Sequence, residues 1–205
     1  MALVWLAMAL LTGQAISSDV LRVFSIAASL ATIVFLLYDH FIWKWYIVRL
    51  FTGKPTVAGT WRGLLQSDYI RPGESQPVAP IPTVIRVKQT NSTLVATLFT
   101  GESSSVTEQG RLIRETDGRW RLSWIYVNEP RPPFQHRSNH HCGVCDLYLA
   151  GRDGELLTGR YFTDRKTVGE IELPEWSKAS YGDAASALAA SEFEPAKPFA
   201  RWRRP

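Results

Sequence analysis

Two periodicities divide the chain. Before residue 58 the apolar positions run together in long blocks, whereas from Ala58 onward apolar and polar residues alternate with a spacing of two, the signature of strands with one buried face. Eight such runs can be marked: Ala58–Gln66, Thr83–Thr90, Thr93–Thr100, Ser104–Glu115, Arg119–Asn128, Cys142–Ala150, Leu156–Tyr161 and Val168–Leu173. Asn91-Ser92, Gly101-Glu102, Asp117-Gly118 and Asp153-Gly154 fall between runs, where turn residues tolerate positive φ and join antiparallel neighbours. Two connections are longer and proline-rich, Ser67–Pro82 and Glu129–His141.

Eight short antiparallel strands in this length predict an all-β domain shaped as an eight-stranded, lipocalin-like β-barrel, of the size whose interior holds side chains or one small ligand. A seven-stranded sandwich is the competing arrangement. In Val84–Gln89, alternation turns Arg86 and Lys88 outward and Ile85, Val87 and Gln89 inward. An inward Gln89 predicts a lumen that is not purely apolar. Residues 58–173 form the expected barrel, 47–57 a linker and 174–205 a C-terminal tail, in which Asp183–Glu192 suits a short helix and the remainder a weakly ordered segment.

The apolar blocks predict an N-terminal transmembrane α-hairpin within residues 1–46. Met1–Ile16 carries no charge and Val20–Tyr38 only Arg22; as helices they extend about 24 and 28 Å, against about 30 Å of hydrocarbon. Trp43, Trp45 and Tyr46 form an aromatic belt beside Lys44 and Arg49, which places the barrel on the cytoplasmic side by the positive-inside rule. A secretory signal peptide is the alternative for the first block, because Thr12–Ala15 contains small residues.

Composition sharpens this division. Of 23 basic and 19 acidic residues, residues 1–38 hold only Asp19 and Arg22, and the net charge of +4 is too diffuse for a DNA or RNA polymer. No P-loop, G-x-G-x-x-G, G-x-S-x-G or H-E-x-x-H motif occurs, so no catalytic constellation announces an enzyme. His136–Cys145 contains enough nitrogen and sulfur ligands for zinc, but Cys142 and Cys145 stand three apart where a strand begins, and such residues face opposite ways. The reading adopted is two buried reduced thiols and no metal.

Three stretches carry a resemblance: G-T-W-R-G at Gly59–Gly63, L-S-W-I-Y-V-N-E-P at Leu122–Pro130, and L-T-G-R-Y-F-T-D-R-K-T-V-G-E-I at Leu157–Ile171. With V-I-R-V-K-Q-T at Val84–Thr90, the serines 103–105 and His141-Cys142-Gly143, the chain resembles the two-transmembrane, β-strand-rich effectors of bacterial cyclic-oligonucleotide-based antiphage signalling (CBASS) systems. The resemblance implies a non-enzymatic effector with no cofactor but an activating cyclic dinucleotide. Its barrel would sense that messenger, and its helices, assembled as a homo-oligomer, would disrupt the bacterial inner membrane and end the infection abortively.

A cyclic dinucleotide needs aromatic faces for two bases, cations or N–H groups for two phosphates, and neutral polar groups for base edges and ribose. If the seventh strand continues, Tyr161, Thr163, Arg165 and Thr167 share a face, supplying a stacker, two hydroxyls and a guanidinium. Trp124, Tyr126 and Asn128 share another, and Ser103, Ser105 and Gln89 add hydrogen-bonding groups. Each has a plainer reading: an ion-paired rim for Arg165, core filling for Trp124, a turn for the serines. Trp61 is expected to plug the closed end, and Gly143, Gly159 and Gly169 to mark strand bends or close approaches. The rival functions are a membrane-anchored, lipocalin-like carrier of an apolar ligand and, more remotely, a tethered hydrolase using Asp164 or His141.

Overall fold

A computed structural model describes residue 11 and residues 18–136, 138–150 and 156–195. The described chain divides into two compact units, residues 1–48 and 49–205. In the first, helix α1 covers Ser18–His40 and is followed by a 3-10 turn at Ile42–Lys44. Twenty-three helical residues reach about 35 Å, and the apolar stretch Leu21–Lys44 is long and apolar enough to cross a membrane. Three of its hydroxyls are satisfied within the helix: Ser25, Ser29 and Thr32 donate to the carbonyls of Leu21, Ser25 and Ala28 at 2.8–2.9 Å, so these three need no water. The expected first helix, Met1–Ile16, lies outside the described residues apart from Leu11. Helix α2, Tyr46–Thr52, leads into the second unit.

There the alternating runs form eight strands: β1 Gly59–Ser67, β2 Ile81–Gln89, β3 Leu94–Phe99, β4 Ser103–Arg114, β5 Trp120–Pro130, β6 His141–Ala150, β7 Leu156–Thr163 and β8 Val168–Ser177. Each pairs antiparallel with the next, and β8 returns to β1 through Leu65↔Ile171 and Trp61↔Trp176. The sheet is therefore a closed up-and-down barrel, as the eight-run pattern predicts, and has no open edge. A bulge between Thr107 and Gln109 in β4 resets the alternation, so that Ser105 and Leu112, an odd number of residues apart, both point inward.

The inward side chains change character along the barrel axis. At one end Trp61, Leu122, Leu147, Leu157 and Leu173 are fully buried. The Trp61 indole donates to the Val57 carbonyl at 3.0 Å, and Gln89 clamps the segment crossing this end, accepting from Val57 N at 2.8 Å and donating to Pro55 O at 3.1 Å. That end is closed, with Trp61 in the plugging role. Toward the other end the same strands present Ser67, Ser105, Asn128, His141 and Thr163.

Residues 178–195 pack onto the outer wall. Helix α3, Ala184–Ala189, is capped by Asp183, whose carboxylate accepts from Ser186 N at 2.8 Å. Ala184, Ala187 and Phe193 bury against Val84 and Phe99, and a two-residue strand β9, Glu194–Pro195, pairs with β8.

Candidate functional site

At the open end the barrel holds a cavity of about 690 Å³, within the range of small-molecule sites. Its floor is apolar, with Leu65, Leu98 and Cys145; its walls are Tyr126, Asn128, Tyr161 and Ser105; its rim is formed by the loop Tyr69–Ala79, by Phe134 and Ser138 of the β5–β6 connection, and by Leu188 of α3.

The two wall tyrosines are held in the same way. Tyr126 on β5 stands opposite Gly143 on β6, and Tyr161 on β7 opposite Gly169 on β8. A Cβ at Gly143 would come within 2.4 Å of the Tyr126 ring, and one at Gly169 within 2.4 Å of the Tyr161 ring. Each ring thus lies across the backbone of a glycine on the neighbouring strand, an arrangement any larger residue would block. These glycines mark close approaches, as expected.

The polar groups form short networks with capacity left over. Ser105 donates to Asn128 Oδ1 at 2.8 Å, and the Asn128 amide lies 3.5 Å from His141 Nδ1. Tyr161 donates to Ser67 Oγ at 2.8 Å. Thr163 and Thr167 share a hydrogen bond of 2.6 Å, and Thr100 and Ser103 one of 3.2 Å. Among the described residues Tyr126 Oη makes no hydrogen bond, and Arg165 neither a hydrogen bond nor an ion pair. The other arginine lining the cavity, Arg71, lies 3.6 Å from Glu74. Burial pushes both phenols up, with Arg165 pulling weakly the other way, so at neutral pH both tyrosines are donors. Burial holds the His141 imidazole below its ordinary value, aided by Arg165, and leaves it neutral. The site therefore offers two aromatic faces, a set of uncharged hydrogen-bonding groups and one unpaired guanidinium.

Of the sequence candidates, Tyr126, Asn128, Tyr161, Thr163, Arg165, Thr167, Ser103 and Ser105 line this one cavity. Two are placed elsewhere. Trp124 is one inward position deeper than Tyr126, 1% exposed and part of the core, so the core-filling reading holds. Gln89 is inward as expected but sits at the closed end, because β2 runs from mouth to base and its last residues meet the start of β1. The geometry proposed for residues 161–167 also needs correction: β7 ends at Thr163, residues 164–166 turn, and Lys166 has a φ of +63°. Arg165 reaches the cavity from a hairpin tip, while Asp164 accepts from Cys142 N at 3.1 Å and ties the hairpin to β6. Cys142 is exposed and Cys145 buried, so the thiols face opposite sides of the wall and only one is buried.

Ser67 was missed, and His141, considered only for zinc or hydrolysis, was not foreseen as a cavity residue. Both were within reach of alternation: Ser67 continues the inward series Leu65, and His141 the series Cys145, Gly143. Tyr69, Arg71, Phe134 and Ser138 come from loops, where no periodicity speaks.

A closed barrel with an open, partly polar cavity has the form of a small-ligand site. Residues 52–175 match the family described as Cap15, cyclic dinucleotide receptor domain, and the chain belongs to that family. It is also 24% identical over 151 residues to the CD-NTase-associated protein 15 of Staphylococcus schleiferi, a match covering 74% of this chain and 78% of that protein. The chain is thus assigned to a family of CBASS-associated receptor domains.

Proposed function

We propose that the cavity binds a cyclic dinucleotide and that the chain is a membrane effector gated by it. The observation that carries the reading is the pairing of two glycine-backed tyrosine faces with an unpaired Arg165 at the same mouth: the rings suit two bases, the guanidinium a phosphate, and Ser103, Ser105, Asn128, Thr163 and Thr167 the base edges and ribose. The CD-NTase association in the relative's name and the family's receptor description support the same ligand class. An apolar cargo would cover Tyr126 Oη and the Arg165 guanidinium without pairing either. In this reading the barrel lies in the cytoplasm of a bacterium, residues 1–46 lie in the inner membrane as two helices, and bound nucleotide drives self-association that breaches the bilayer. No cofactor takes part.

Titration calorimetry of the full chain in detergent against cyclic dinucleotides tests the site. Arg165→Ala should weaken binding roughly tenfold to a hundredfold, about 1.5–3 kcal/mol for a charge-assisted contact, and Arg165→Lys should recover only part, lacking the planar fork. Lys166→Ala is the control, adjacent and of like charge but outside the cavity lining. Equal losses at both positions would mean that diffuse charge, not this site, holds the ligand.

A further inference from the structure

Four charged side chains line the cavity among the described residues: Arg71, Glu74, Glu102 and Arg165. Arg71 and Glu74 sit at the tip of a hairpin within the β1–β2 connection, and its shape is set by the sequence. Pro72 and Gly73 occupy the two central turn positions; Gly73 has a φ of +88°, and Glu74 N donates to Arg71 O at 3.0 Å, the geometry of a type II turn. Below the tip, Ile70 bridges to Pro77 and Val78 N donates to Tyr69 O at 3.0 Å. The base of the hairpin is fastened to the cavity wall, because Ser67 Oγ accepts from Tyr69 N at 3.2 Å and from the Tyr161 hydroxyl at 2.8 Å. It is also fastened to the element that carries Arg165. Asp68 N donates to Val168 O at 3.0 Å and Val168 N donates to Asp68 Oδ1 at 2.8 Å, which joins the hairpin to the end of the β7–β8 turn. The two arginines therefore stand on neighbouring rim elements that are tied to each other.

A cyclic dinucleotide closes its ring through two phosphodiesters, each with one negative charge, held on opposite sides of the ring. One guanidinium meets only one of them directly. We infer that Arg71 meets the second phosphate and that Glu74 holds Arg71 at the mouth until the ligand arrives; the inference rests on the ligand class proposed above. The existing pair is suited to exchange. Arg71 lies 3.6 Å from Glu74, and the two side chains are 50% and 48% exposed, so the contact is longer than a hydrogen bond and is worth little in water. A phosphate in the cavity is the stronger partner, because it offers two oxygens to the planar fork where water is partly excluded. Once released, Glu74 keeps its exposure, so no carboxylate is left buried and unpaired. The same arrangement sets specificity. A ligand with two bases but one phosphate is served by Arg165 alone and leaves Arg71 on Glu74.

The test uses titration calorimetry on the full chain in detergent with two probes: the tightest binder of a panel of cyclic dinucleotides, and the linear dinucleoside monophosphate of the same two bases. Arg71→Ala should weaken the cyclic probe about tenfold and leave the linear one within about twofold, whereas Arg165→Ala should weaken both. Arg71→Lys should restore part of the loss. Glu74→Gln should tighten the cyclic probe severalfold by releasing Arg71, and in an Arg71→Ala background that gain should largely disappear. Melting temperatures should match the wild type, since both side chains are half exposed at a turn. Equal losses of the two probes on Arg71→Ala would overturn the assignment, because the side chain would then shape the mouth without meeting a second phosphate. An undiminished Glu74→Gln gain without Arg71 would overturn the holding role, leaving Glu74 to act by repulsion alone. A chain that binds the cyclic probe through Arg165 but is indifferent to Arg71 would sink this inference and leave the proposed ligand standing. A wild type that binds no cyclic dinucleotide of the panel would sink both.

Discussion

Gly143 and Gly169 carry no functional group, yet they decide where the two tyrosine rings can be. The rings occupy the space a Cβ would need, so the aromatic faces are fixed before any ligand arrives, and little side-chain entropy remains to be lost on stacking. Gly143→Ala should therefore displace Tyr126, costing about 1–3 kcal/mol of stability through overpacking and weakening nucleotide binding by a comparable factor. Gly169→Ala should act in the same way on Tyr161. Gly182, which has nothing within 4 Å of a Cβ, is the neutral control in the same thermal and calorimetric measurements. In a Tyr126→Ala background the Gly143→Ala effect on affinity should shrink to the part caused by the Phe162 carbonyl, which an added Cβ would meet at 2.6 Å. A loss undiminished there would show the glycine acting on strand geometry and not on the ring.

At the scale of elements, alternation made the barrel readable, because every strand is buried on one face and a slip of one residue would expose that face. It also found several of the strand residues that line the cavity, since inward positions near strand ends are cavity positions. What it could not supply is the end at which a strand terminates, and Gln89 shows the cost: inward orientation is local, whereas mouth or base depends on strand direction and on what crosses the opening. Arg165 was placed correctly through a mistaken strand, because a three-residue turn happened to return the chain to the same side. The outer packing of residues 178–195 was hidden for another reason. Its anchor is a distant side chain: Arg62 on β1 bonds Glu175 at 2.5 Å, donates to the carbonyls of Leu188 and Ala190 at 3.2 and 3.0 Å, and lies 4.1 Å from the centre of the Phe193 ring. Arg62→Ala should cost about 1.5–3 kcal/mol and speed hydrogen exchange selectively in residues 181–195. Uniform protection in that segment would mean that Val84, Phe99 and the apolar side of α3 hold it without the arginine.

For the whole molecule, the division into two compact units lets the proposed sensing and the proposed membrane action be tested separately. The barrel satisfies its own backbone by closure and buries its own core, so it needs no bilayer for stability. Helix α1 satisfies its backbone and the hydroxyls of Ser25, Ser29 and Thr32 internally. Binding energy gained in the cavity reaches the membrane only if ligand has higher affinity for an assembled state than for the single chain, because equal affinity for both shifts nothing. A chain beginning at residue 47 should accordingly remain soluble, bind the nucleotide and gain about 2.7 kcal/mol of apparent stability at a ligand concentration 100 times Kd, without releasing dye from vesicles. In the full chain, Ala28 and Ala31 belong to a run of small residues in α1, which permits close helix packing. Replacing both with leucine should cut nucleotide-triggered dye release while leaving nucleotide affinity intact, since neither alanine lines the cavity. Release that survives the double substitution would move the executing step away from this stretch of helix. Loss of affinity together with release would mean that the two units do not act separately.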